Sequence, residues 1–161
     1  MKRIIVALAA AVTLTLTAAP AQADTYLGPK WETPATVSDQ TGDPSLDVSR
    51  AVNQWAKAGV SVKMTTSTSA PIKVTYAQLG DHVAGLAWVA YAGTRMVGCH
   101  IQIDEEMRGA AQRLKRKVVT HEMGHCIGLG DNPGYYSIMG NADVTEPTRG
   151  DKRAARALYG R

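Results

Sequence analysis

His121, Glu122 and His125 stand together in the stretch His121-Glu122-Met123-Gly124-His125. Residues four apart on a helix lie about 40° apart around its axis, one turn above the other. Two imidazoles at that spacing can hold one divalent ion. Glu122 projects about 100° from His121 and about 60° from His125, which sets a carboxylate beside the pair without making it a ligand. Hydrolysis by a zinc-bound water needs this arrangement: zinc brings the pKa of its water toward neutrality, and a neighbouring carboxylate takes the proton.

A catalytic zinc site uses three protein ligands and keeps one position open. Gly128, three residues past the second histidine, lets the backbone turn sharply so that the chain swings back toward the metal. Asp131 then becomes the expected third ligand. Its competing role is a turn residue ahead of Asn132-Pro133-Gly134. Glu146 is the rival third ligand, as in zinc peptidases that recruit a glutamate from a later helix, and Gly128 and Met139 argue against it. His82 and His100 fall outside any ligand spacing and read as ordinary polar residues.

A helix must carry the histidine pair, and the pattern supplies one over residues 108–127. Ala110, Ala111, Leu114, Val118, Val119, Met123 and Ile127 recur at helical spacing with no proline, and Gly128 and Gly130 end the run. Val119, Met123, Cys126 and Ile127 form an apolar face for packing on a sheet, away from the histidines. Upstream, an early strand is expected within 31–37, a helix over 45–58, and strands over 60–66, 72–76 and 100–104. Residues 80–93 mix turn formers with apolar Leu86-Ala87-Trp88-Val89. A loop over 131–148 and a short helix over 151–159 complete the chain.

The stretch His121-Glu122-Met123-Gly124-His125-Cys126-Ile127-Gly128-Leu129-Gly130-Asp131 resembles the zinc signature of the metzincin metallopeptidases, His-Glu-x-x-His-x-x-Gly-x-x-His/Asp. Asp131 at the last position is similar to the snapalysin type. Ser137-Ile138-Met139 resembles the Met-turn beneath the zinc, with Met139 structural. The spacing from Asp131 to Met139, the ending Ala157-Leu158-Tyr159-Gly160, and Gly85-Leu86-Ala87-Trp88 look like the matrixin branch. Trp88 stands where matrixins usually carry a histidine for a structural zinc, so one zinc is expected. The resemblance covers roughly residues 80–160 and, more weakly, the first helix. It implies an α+β, metzincin-like fold: a twisted, mixed, mostly parallel sheet with an antiparallel edge strand over the cleft, and three helices. It also implies endopeptidase activity on a protein or peptide that pairs with the edge strand, for which 100–104 is the candidate.

The bulk properties fit an exported enzyme. Lys2 and Arg3 precede an uncharged apolar run over 4–19. Pro20 breaks it, and Ala21-Gln22-Ala23 offers a cleavage site, so 1–23 reads as a signal peptide and 24–161 as the catalytic domain. The formal charge of +4 falls to about +2 once Lys2 and Arg3 are removed. No nucleic-acid partner, and no membrane association after cleavage, is indicated; a monomer is expected. The basic run Arg113-Leu114-Lys115-Arg116-Lys117 reads as a solvated helix face. Cys99 and Cys126, the two cysteines, are expected to pair in an exported chain. Nothing points to calcium. Tyr135 and Tyr136 are candidate hydrogen-bond donors to an oxyanion, with loop packing as the alternative. Two other functions compete: a secreted binding module in which zinc only stabilises the fold, and a zinc amidase acting on cell-wall peptides. Glu122, which a binding module does not need, favours the peptidase.

Overall fold

The computed structural model describes residues 29–80, 82–132 and 136–160; the expected signal peptide and Tyr135 lie outside the described residues. Five strands form one sheet: β1 (Ala35–Asp39), β2 (Val62–Met64), β3 (Ile72–Ala77), β4 (Gly85–Ala92) and β5 (Arg95–Asp104). Their order is β2-β1-β3-β5-β4. All neighbouring pairs are parallel except β4 with β5, so an antiparallel strand closes one edge. Three helices complete the α+β fold: α1 (Val48–Lys57), α2 (Gln112–His125) and α3 (Arg149–Tyr159).

Period-two alternation sends Ala35, Val37, Ile72, Val74, Cys99, Ile101 and Ile103 to one face, where all are buried. The stripe Val48, Ala51, Val52 and Trp55 of α1 joins the same core, as do Val119 and Met123 of α2 and the following Cys126 and Ile127. Each fully buried large aliphatic side chain here contributes about 2 kcal/mol. The apolar face expected on the metal helix is therefore the face that anchors it. A disulfide joins Cys99 of β5 to Cys126, with Cα atoms 5.6 Å apart, tying an inner strand to the residue after His125.

Four expectations need correction. Residues 100–104 are not the edge. They belong to a ten-residue strand, β5, held between β3 and β4, and the edge is β4. Ala92 pairs with Arg95 across the two-residue turn Gly93-Thr94, and Gly93 has φ +61°, which glycine adopts without strain. The first helix starts later than 45. Pro44–Leu46 is a 3-10 turn capped by Asp43, and Asp47 at φ +62° breaks it from α1. The metal helix starts at Gln112 rather than 108, because the Asp104 carboxylate caps a separate 3-10 turn, Glu105–Gly109, and Ala110 is extended. The basic run is not one solvated face: Lys115 is buried, and its ammonium donates to Asp43 Oδ2 (3.0 Å), Ser45 Oγ (2.7 Å) and the Arg108 carbonyl (2.7 Å).

Candidate metal centre and active site

Two tryptophans bracket the turn of α2 that carries the histidines. Trp55 donates its indole N–H to the carbonyl of Thr120 (3.0 Å), and Trp31 donates to the carbonyl of Cys126 (2.7 Å); both bonds are buried. Beyond Cys126 the chain reverses at Gly128, whose φ of +95° favours glycine. A Cβ there would also come within 2.4 Å of the Pro29 carbonyl oxygen. The reversal returns the chain as far as Asp131.

The orientation of both imidazoles is set by carbonyl oxygens, which can only accept. His121 Nδ1 lies 2.8 Å from the Ile138 oxygen, and His125 Nδ1 lies 2.9 Å from the Leu129 oxygen. Each Nδ1 therefore carries the proton, and each Nε2 presents a lone pair. The two Nε2 atoms face each other at 3.1 Å. Asp131 Oδ1 stands 3.4 Å from the first and 3.5 Å from the second. Three potential ligand atoms thus converge, one from each side chain, as a metal ion requires. An ion about 2.05 Å from each of three donors in tetrahedral geometry holds those donors about 3.3 Å apart. The observed separations bracket that figure, so the donor set fits a metal ion. Asp131 is 68% exposed, which leaves one side of the centre open to solvent.

Glu122 points to the same region from a drier position. It is buried, and burial pushes its carboxyl up to about 7. His121 and the Ala87 N–H, which donates to it, work in the opposite direction, and Asp131 adds to the rise. Gly85 makes room for it: a Cβ at Gly85 would meet Val118 Cγ1 at 2.6 Å and Glu122 Cγ at 3.0 Å. Edge strand β4 and the metal helix therefore meet at Glu122.

Met139 lies buried under the centre. A Cβ on Gly124 would meet its sulfur at 2.2 Å, so the glycine between the histidines admits the methionine. The turn holding Met139 is fixed from α3. The Asp151 carboxylate accepts from Ser137 Oγ, from the Ile138 N–H (3.0 Å), and from the N–H and hydroxyl of Thr148 (both 2.7 Å). Asp151 also closes the capping box of α3 with Thr148. Asp151 thus holds the backbone N–H of Ile138, the residue whose carbonyl orients His121. Sequence reasoning passed over it, although Thr148-x-x-Asp151 at a helix start was a readable capping signal.

His121, His125, Glu122, Asp131, Met139 and the cysteine pair are thus gathered around one turn of α2. Glu146, the rival ligand, instead pairs with Arg50. Tyr136 is exposed and lines a surface cleft with Arg113, Asp143 and Arg149, in which none of the three donors takes part. His100 faces Thr75 Oγ1 at 2.9 Å. Among the described residues, no helix is long and apolar enough to cross a membrane.

No family model and no curated protein matches this chain. Solved structures do. A structure of myroilysin superposes with a TM-score of 0.62 at 14% identity, covering 84% of this chain and 98% of that one. A second myroilysin structure gives 0.61 at 13% identity, over 82% and 86%. A chain of the ECX AB5 holotoxin in its GM1-bound form gives 0.57 at 15% identity, over 87% and 90%. At these identities the likeness shows a shared fold.

Proposed function

We propose that the protein is a secreted, metzincin-like zinc endopeptidase, with His121, His125 and Asp131 as ligands and Glu122 as general base. The observation that carries the proposal is the convergence of three lone-pair donors at separations suited to tetrahedral zinc, beside a buried carboxylate. Two nitrogens and one oxygen suit zinc, and three protein donors with one open side match catalytic rather than structural zinc sites. The shared fold with myroilysin supports the same reading, and the disulfide and the apolar leader support export.

When bound, zinc supplies a Lewis acid that polarises the scissile carbonyl and acidifies water. The chain's own residues do the rest. Ile138 and Leu129 hold the imidazoles in the ligating tautomer through their carbonyls. Glu122 takes a proton from the attacking water and returns it to the leaving amine. Its carboxyl, raised by burial, is basic enough to accept a proton near neutral pH. The free edge of β4 receives the substrate backbone by strand addition.

The test combines metal analysis with cleavage of casein. The proposal predicts one zinc per chain, loss of cleavage on chelation, and a Glu122→Gln protein that keeps zinc yet is inactive. Cleavage by Glu122→Gln at the parent rate overturns the base assignment. Zinc retained by a wild-type protein that hydrolyses neither casein nor cell-wall stem peptides points instead to a metal-stabilised binding module.

A further inference from the structure

The exposed large apolar side chains are unevenly spread. Apart from Leu114 and Tyr136, those among the described residues are Val83, Leu86, Trp88, Tyr91 and Val97, all on the β4–β5 hairpin or its approach. Trp88 is 61% exposed, yet its indole is held by a hydrogen bond from Nε1 to Gln102 Oε1 of the neighbouring strand (2.8 Å). A large, rigid aromatic face is thus presented to solvent on the edge strand.

Strand geometry fixes where that face lies relative to a bound peptide. The Asp104 N–H donates to the Ala84 carbonyl, and Gly85 pairs with Ile103. Ladder alternation then directs the backbone groups of Leu86 and Trp88 to β5, and those of Gly85, Ala87 and Val89 to the free edge. The Ala87 N–H does reach outward, to Glu122. A peptide added at this edge therefore has its reacting bond near Ala87. Its next residue lies opposite Trp88, with its side chain on the outer face of the sheet, roughly 5 Å away between Cβ atoms. Leu86 lies two residues along on that same face.

We propose that Trp88, with Leu86 beside it, is the residue that selects an apolar side chain in the substrate strand, at a position within two residues of the scissile bond. The inference rests on the peptidase reading, and on the place of Trp88 next along the edge strand from Ala87, whose backbone N–H meets Glu122.

The test is a positional scan of fluorogenic peptides on the wild-type protein and on Trp88→Ala, Trp88→Phe and Leu86→Ser. The wild type should favour Leu, Ile or Phe over Gly and Asp about tenfold at one position next to the cleaved bond. Trp88→Ala should flatten the preference there and nowhere else, Trp88→Phe should keep it, and Leu86→Ser should weaken it. A second readout needs no turnover. Trp31 and Trp55 are buried, so binding of the preferred peptide to the Glu122→Gln protein should shift an emission that Trp88→Ala removes. Chelator-sensitive cleavage with the same selectivity in all four proteins overturns the selecting role of Trp88 and leaves the peptidase reading standing. Absence of any chelator-sensitive cleavage by the wild type overturns both.

Discussion

Replacing Asp151 by alanine removes one carboxylate that accepts four donors: Ser137 Oγ, the Ile138 N–H, and the N–H and hydroxyl of Thr148. Two effects follow. The first is on stability. Loss of the N3 half of the α3 capping box, with Thr148 still in place as N-cap, costs about 1 kcal/mol. Leaving the buried Ile138 N–H without its charged acceptor adds about 2 kcal/mol. A total near 3 kcal/mol corresponds to a fall of about 10 °C in Tm for a domain of this size. The second effect is on metal affinity, because the Ile138 carbonyl orients His121 Nδ1. Loss of an outer partner of a metal-binding histidine typically weakens affinity 10–100-fold. The assay is paired: thermal unfolding of the ion-free protein, and zinc competition against a chromophoric chelator at a temperature where both proteins are folded. Equal destabilisation with unchanged zinc affinity refutes the coupling between the α3 cap and His121.

Three further outcomes follow from the same geometry. Gly85→Ala forces a Cβ to within 2.6 Å of Val118 Cγ1 and 3.0 Å of Glu122 Cγ; kcat should fall more than tenfold while zinc content holds, and an unchanged kcat would show that β4 yields freely. In the ion-free protein the Glu122 carboxyl sits at about 7 against an ordinary value of 4.5. The folded state therefore binds that proton more tightly than the unfolded state. The stabilisation is full below about pH 4.5 and is lost as pH rises through 7, on the order of 3 kcal/mol. Denaturant titrations of chelated wild type against Glu122→Gln across this range should show the wild type losing ground as pH rises, and a constant gap would contradict it. Lys115→Met leaves the Asp43 carboxylate with Ser45 and Tyr76 alone. It should destabilise the fold by about 3 kcal/mol, and a change below 0.5 kcal/mol in urea midpoints would count against a structural role for the pair.

The metal turn was legible in the sequence because its information is local. Helical spacing alone brings His121 and His125 together, and a glycine at position 128 permits the return to Asp131. The sheet order was less legible. Alternation marked residues 100–104 as a strand, but alternation is the same for an inner strand and an edge strand that buries one face, and the order depends on contacts distant in sequence. The hairpin turn Gly93-Thr94 was the available clue that β4 pairs with β5; that β4 ends the sheet follows from the pairing of β5 with β3, which the sequence did not display. Helix starts were misplaced where an aspartate competes for backbone N–H groups, as Asp43 and Asp104 do. Lys115 looked like a surface charge because its partner, Asp43, lies far upstream. For Asp151 the capping role was local and readable, but its hold on the Met139 turn was not, because Ser137 and Ile138 are brought to it only by the fold.

X-ray absorption at the zinc edge examines the centre itself. One tightly held ion per chain, surrounded by nitrogen and oxygen at about 2.0–2.1 Å, with outer-shell scattering from two imidazoles that survives Asp131→Ala, is the expected spectrum. Sulfur in the coordination sphere, or the signal of a single imidazole, would mean that His121, His125 and Asp131 do not share an ion.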